Sequence, residues 1–278
     1  MSTVIAPTRE VVRAADRVAA ARRRVSMGET VAQTLTMAWR ALKKMRRNPE
    51  QFFDVALQPI LFTAMFAFIF GGAIAGDVQS YLPLMIPGIL AQTVLTTCMA
   101  TGTQLREDME KGVFDRFKSL PIARIAPLAG PMVADLLRYT IAATLTFGMG
   151  LVMGYRPGGG VGGVLAAILL AIFTGWSLAW VFTWVGTIAR SAQAVQGISM
   201  MILFPLTFLS NAFVPVETLP GWLAAFVRIN PVSHLVTAAR DLANGAVVSS
   251  EVAWTLLACV IVIAIFAPMS VRSYKRHM

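Results

Sequence analysis

Pro157-Gly-Gly-Gly-Val-Gly-Gly-Val-Leu-Ala-Ala-Ile-Leu-Leu-Ala-Ile-Phe-Thr-Gly-Trp-Ser-Leu-Ala-Trp-Val-Phe-Thr-Trp-Val-Gly-Thr-Ile-Ala189 runs for 33 residues without a charge. Its glycine-rich start, 157–163, reads as a loop. The rest is apolar on every face and long enough to cross a bilayer, whose core needs about 17–25 helical residues. It is too short for two crossings with a turn between them. Five more uncharged runs lie to either side, at 55–76, 78–105, 139–155, 191–216 and 252–271. Each can supply one span, so the sequence predicts an all-α, polytopic membrane protein with six transmembrane helices. Runs at 218–227, 229–239 and 242–250 are too short to cross and suit interfacial or re-entrant pieces. Composition agrees: 56% of the chain is hydrophobic and only 14% is charged, where a soluble domain carries about 25% charged residues.

Positions of the basic residues set the orientation. Of 24 Lys and Arg, only Arg156, Arg228 and Arg240 fall on one side of the six-span arrangement. The others cluster on the opposite side, which the positive-inside rule makes cytoplasmic. Both termini are therefore expected in the cytoplasm of a bacterial-type inner membrane. The formal charge of +10 belongs to the inner leaflet, and a nucleic-acid partner is excluded. No apolar segment precedes Phe52, so the basic N-terminus is not read as a cleavable signal peptide. Cys98 and Cys259 fall inside spans and read as small buried residues.

Residues 1–25 are expected to form a loosely ordered cytoplasmic arm. Residues 26–48 read as an amphipathic helix that opens on the capping-box spacing of Ser26 and Glu29 and stops at Asn48-Pro49. Val31, Leu35, Ala38, Trp39, Leu42 and Met45 form its apolar stripe, with Arg40, Lys43, Lys44 and Arg47 mostly beside it. Such a helix lies on the inner membrane face with its basic side chains toward anionic lipid, or serves as a plain juxtamembrane anchor. Residues 49–278 make up the six-span domain.

After span 2 comes a charged segment, Arg106-Glu-Asp-Met-Glu-Lys-Gly-Val-Phe-Asp-Arg-Phe-Lys118, read as lying in water. Val113, Phe114 and Phe117 form an apolar patch within it. They either dock on a partner or tuck back against spans 2 and 3. Asp135 and Arg138, spaced i, i+3 at the start of span 3, are expected to pair with each other or with this loop. On the outer side, two short helices are expected between spans 5 and 6. Thr218 caps the first, with Pro220 in its first turn. The second has Asn230 as its cap, Pro231 at its first position and Gly245 just past its end.

Catalytic and energy-coupling motifs are missing. No phosphate-binding G-x-x-x-x-G-K-[ST] loop occurs, and no span carries a ladder of carboxylates or histidines to relay protons. His234 reads as a cap or interface residue, and no metal site is predicted. Energy must come from elsewhere, or the protein does not pump.

The loop Gly112-Val-Phe-Asp-Arg-Phe-Lys-Ser-Leu-Pro-Ile122, the segment Leu203-Phe-Pro-Leu-Thr-Phe-Leu-Ser-Asn-Ala-Phe-Val-Pro215, and Leu219-Pro-Gly-Trp-Leu223 with Asn230-Pro-Val-Ser233 closely resemble the ABC-2 family of transporter permeases. Within it the chain is most similar to the daunorubicin/doxorubicin-resistance branch of actinobacteria. The resemblance implies a homodimer of six-span subunits served by two copies of a separate ATPase, which binds ATP and Mg; this chain would hold no cofactor. It implies that Arg106, Glu107, Asp108, Glu110, Gly112, Val113, Phe114, Asp115, Arg116 and Phe117 form an ATPase-coupling loop. The outer helices match a re-entrant hairpin. An anthracycline-like drug would enter from the inner leaflet, and Phe62, Phe66, Gln92, Phe208, Asn211 and Phe213 are its candidate contacts; ordinary helix packing is the other reading of each. A lipid or lipid-linked glycan exporter of the same family is the nearest alternative function, and a non-transporting scaffold a more distant one.

Overall fold

The computed structural model describes residues 26–47, 49–113, 123, 125–214, 216–245 and 249–276. Among them are nine α-helices and no strand. They are α1 (Met27–Arg46), α2 (Pro49–Ala75), α3 (Val78–Glu110), α4 (Ala126–Val152), α5 (Gly160–Ile188), α6 (Ala192–Phe208), α7 (Gly221–Ile229), α8 (Pro231–Asn244) and α9 (Ser250–Arg276). Four are long and apolar enough to cross a bilayer: α2, from Val55 onward, α3, α5 and α9 to Tyr274. Helix α6 is apolar but only 17 residues long. Helix α4 has 27 residues and carries Asp135 and Arg138 on buried positions.

Helix α3 is the axis of the bundle and packs against α2, α4, α5, α6 and α8. Its middle is buried all round, from Met85 through Leu95, as expected for a helix without a polar face. Small residues allow its neighbours to approach closely. A Cβ on Gly102 would stand 2.2 Å from the Phe182 carbonyl oxygen of α5, and one on Gly186 only 2.6 Å from the Gly102 carbonyl oxygen. Gly102→Leu is therefore expected to force α3 and α5 apart, at about 1–3 kcal/mol or more. Gly72→Ala, in open space, should leave stability unchanged or raise it. Thermal unfolding of the detergent-purified protein distinguishes the two.

The amphipathic helix forms as expected, with Glu29 Oε2 accepting the Ser26 backbone N–H at 2.8 Å. Its contact with the rest of the protein was not predicted. Met37 and Ala38 pack on Gly130 of α4, where a Cβ would meet the Met37 Cβ at 2.4 Å. Val31, Leu35 and Trp39 stay exposed, Trp39 at 69%. Part of the apolar stripe thus points away from the protein, and close approach of small residues chooses the buried face.

Four helices, α2, α3, α4 and α9, outrun the uncharged segments that announce them. Helix α3 continues through Arg106 to Glu110, so this part of the charged segment is helical. Its side chains satisfy one another along the helix: Arg106 Nε lies 3.3 Å from Glu110 Oε1, and Lys111 Nζ lies 3.3 Å from Glu107 Oε2. Helix α4 begins at Ala126, well before Tyr139. Helix α5 starts at Gly160, inside the glycine run. That run lies against the end of α8, with Gly159 N–H donating to Ala243 O at 2.9 Å. A Cβ on Gly163 would stand 2.1 Å from Leu242 O.

Between α6 and α8, Asn230 fastens two helices at once. Its Oδ1 accepts from Val232 N–H at 2.9 Å and caps α8, while its Nδ2 donates to Leu206 O and Leu209 O, both at 2.8 Å, at the end of α6. Gly245 ends α8 in the left-handed conformation at φ 78°, as its position predicts. The first short helix begins later than expected. A 3₁₀ turn occupies Val216–Thr218 and α7 starts at Gly221 after Pro220, so Thr218 is not its cap. The remaining residues expected to form a coupling loop, Phe114, Asp115, Arg116 and Phe117, and the arm 1–25 lie outside the described residues.

Candidate functional site: a charged end and an aromatic cleft

At the charged end of α3, three elements converge. Lys44 Nζ of α1 lies 3.0 Å from Asp108 Oδ1. Arg106 Nη2 donates to Arg190 O at 3.0 Å, and Glu110 Oε1 accepts Ala192 N–H at 3.1 Å. The end of α3 is thereby tied to α1 and to the α5–α6 connection. Gly112 follows at φ 66°, a left-handed turn that glycine takes without strain, and Val113 is partly buried.

Deeper in, Thr101 Oγ1 donates to Asp135 Oδ2 at 2.6 Å, and Arg138 Nη1 donates to Asp135 Oδ1 at 3.2 Å. Both charged residues are buried, and the pairing expected from their spacing is present. The Arg138 Nε is buried without a hydrogen-bond partner among the described residues.

Toward the other end of α2 and α6, aromatic rings gather. Phe66 stacks on Phe213 at 4.4 Å between centroids, on Phe62 at 5.9 Å, and meets Phe70 at 5.3 Å. Phe208 meets Phe213 at 5.8 Å and Phe204 at 4.5 Å. Together with Tyr81, Phe66, Phe208 and Phe213 line a cleft of about 250 Å³. Its far side is closed by Leu219, Leu223 and Val227 of the segment leading into and through α7.

The backbone between α6 and the 3₁₀ turn is irregular, and protein groups satisfy it as a low-dielectric setting demands. Tyr81 OH donates to Phe213 O at 2.8 Å, Arg240 Nη2 to Asn211 O at 2.9 Å, and Ser210 Oγ to Thr207 O at 2.5 Å. Arg240 also donates to Leu84 O at 3.1 Å, and Asn244 Nδ2 to Pro83 O at 3.1 Å. The Pro83 carbonyl is available because Pro87 has no N–H to fill it.

Four of the six sequence-predicted contacts, Phe62, Phe66, Phe208 and Phe213, thus come together. Asn211 is turned aside, with Nδ2 donating to Thr237 Oγ1 at 2.8 Å. Gln92 is buried in α3 away from the cleft, and its Oε1 has no partner among the described residues. Phe70, Phe204 and Tyr81 were not predicted. Phe70 and Phe204 stand one turn from Phe66 and Phe208, so the i, i+4 spacing of rings was the signal for them. Tyr81 had none.

The model of the ABC-2 type transporter family matches residues 32–243. The chain belongs to the ABC-2 type transporter family. It is a permease, a multi-pass membrane protein of an ABC transporter, and its family carries no ATPase domain. The chain is 41% identical over 252 residues to the daunorubicin resistance ABC transporter permease protein DrrB1 of Streptomyces coeruleorubidus, covering 91% of this chain and 89% of that one. It is 26% identical over 236 residues to the probable doxorubicin resistance permease DrrC of Mycobacterium tuberculosis, covering 83% and 85%. To the doxorubicin resistance permease DrrB of the same organism it is 28% identical over 189 residues, covering 68% and 65%. An ABC permease works with an ATPase subunit. The ABC-2 permease therefore needs a partner for its energy, in keeping with the missing phosphate loop.

Proposed function

We propose that this permease exports an amphipathic, anthracycline-like natural product, driven by ATP and Mg bound on a separate ATPase subunit present in two copies. The observation that carries this reading is the 41% identity, over 91% of the chain, to a permease named for daunorubicin resistance. The aromatic cleft supports it, because stacked rings separated by 4.4–5.9 Å can part to admit a flat aromatic ligand. Such pairs are worth about 0.5–1.5 kcal/mol each, a cost that ligand stacking would offset.

Helices α2, α3, α4, α5, α6 and α9 form six spans, and α7 and α8 a re-entrant hairpin in the outer leaflet. Two copies of the chain pair as a homodimer. The arm 1–25 and the amphipathic segment 26–48 are cytoplasmic, as is the C-terminus. Arg106, Glu107, Asp108 and Glu110 anchor the coupling loop, and Gly112 and Val113 lead into Phe114, Asp115, Arg116 and Phe117, which meet the ATPase.

Orientation is tested by single cysteines against an impermeant thiol reagent in intact cells. A cysteine at Asp77 should label and one at Arg276 should not; labelling of Arg276→Cys from outside contradicts the topology. Native Cys98 and Cys259 are buried, which keeps the background low. Asp77 itself caps α3 through Ser80, whose hydroxyl and backbone N–H hold its carboxyl below the usual range. That contribution is present at neutral pH and is lost only as pH falls through the lowered value.

Energy coupling is tested by purification. The permease alone should hydrolyse no ATP, and adding its ATPase should give turnover stimulated by drug. Turnover by the lone permease would overturn the assignment.

A further inference from the structure

A second cavity, of about 440 Å³, opens between α2, α3, α4 and α6 at the end nearer α1. It carries more polar groups than the aromatic cleft. Its walls include Gln58 of α2, Thr96, Thr97 and Gln104 of α3, Arg138 of α4 and Gln196 of α6. These residues are far apart in sequence, and only the packing of four helices brings them to one space. Polar side chains at the depth of a membrane helix are costly unless they face protein or a filled cavity, so their convergence calls for an occupant.

The chemistry of the walls specifies that occupant. The amides of Gln58, Gln104 and Gln196 make no hydrogen bonds to other described residues and offer both donors and acceptors. Thr96 and Thr97 give their protons to Gln92 O and Thr93 O, both at 2.8 Å, which leaves their oxygens as acceptors. Arg138 is held by Asp135, and its Nε lies beneath the cavity surface. The Asp135–Arg138 pair carries no net charge, so hydrogen-bonding groups set the character of the wall. Glu107 at the rim has Lys111 beside it.

We propose that this cavity is the loading site for the polar, hydroxyl-bearing end of the transported amphiphile, a sugar in the case of an anthracycline glycoside. Hydroxyls alternate donors and acceptors as the amides and threonines do. Val55 and Met200 on the cavity wall contact the apolar part of the ligand. About eight residues along α2, or about 12 Å at 1.5 Å per residue, separate Gln58 from Phe66 in the aromatic cleft. The polar site and the aromatic cleft are thus successive stations on the same helices. This inference rests on the export reading above and adds the discriminating chemistry.

The test uses the complete permease–ATPase complex in lipid nanodiscs, with two fluorescent probes: an anthracycline glycoside and its aglycone. In Gln58→Leu/Gln104→Leu/Gln196→Leu, glycoside Kd should rise about tenfold or more, because a site built for hydroxyls gains little from an apolar replacement. Aglycone Kd should stay within about twofold. Phe66→Ala should weaken both probes together. Arg138 is left intact because its removal would strand Asp135. If the triple variant weakens both probes in parallel, or neither, the loading site is overturned while wild-type transport of the glycoside still upholds the export reading. If wild-type complex neither binds nor transports either probe, both fail.

Discussion

Replacing Asp135 by alanine is expected to destabilise the permease by about 3–5 kcal/mol, the usual result of removing one partner from a buried ion pair. The Arg138 guanidinium would stay buried against α3, with Asp135 Oδ1 at 3.2 Å gone and the Thr101 hydroxyl without its 2.6 Å acceptor. Asp135→Ala/Arg138→Met should recover most of the loss, because an apolar replacement of both charges is often neutral in a low-dielectric interior. Thermal unfolding of detergent-purified protein, with membrane abundance as a second readout, measures both. A double variant as unstable as the single one would show that the two residues do not act as a pair.

The second large effect concerns coupling. Phe114→Ala/Phe117→Ala should leave membrane abundance unchanged and abolish export. Two aromatics in a segment otherwise rich in charge are best explained by a partner that covers them. Burial of each is worth about 1.5–3 kcal/mol, so loss of both should lower ATPase affinity by about a hundredfold or more. Alanine at Asp115 or Arg116 should weaken the complex less and increase its sensitivity to salt. Pull-down of the ATPase from membranes with matched permease levels reads the result. Full retention of the ATPase by the double Phe variant would remove the coupling role from this segment; disappearance from the membrane would show that the rings pack against the spans.

Charge-free runs marked where apolar helices lie, yet they truncated four of them. The charges at the end of α3 compensate each other one turn apart, as in Arg106–Glu110 and Glu107–Lys111, so the helix continues where a count of charges stops. The i, i+4 spacing of opposite signs was visible in the sequence and carried that information. Asp135 and Arg138 did the same for α4 at i, i+3. Asn230, Pro231 and Gly245 gave α8 its bounds directly, because capping chemistry is local. Thr218 misled because a 3₁₀ turn, followed by Pro220, took the place of the first helical turn.

Packing against specific neighbours was not legible. The apolar stripe of α1 was read as facing the membrane, and nothing in the sequence signalled that Gly130 of α4 admits Met37 and Ala38. The aromatic candidates were legible in part, since their rings recur one turn apart along α2 and α6. The polar cavity was not, because Gln58, Gln104, Arg138 and Gln196 come from four helices and share no local pattern.

Outward movement of an amphiphile with energy from a separate ATPase, as proposed above, can be measured directly. Inside-out membrane vesicles containing the permease and its ATPase should accumulate an anthracycline when ATP and Mg are supplied. Accumulation should cease when either subunit is omitted and persist when a protonophore collapses the proton gradient. Uptake by vesicles that hold the permease alone, or uptake abolished by the protonophore with ATP still present, would contradict it.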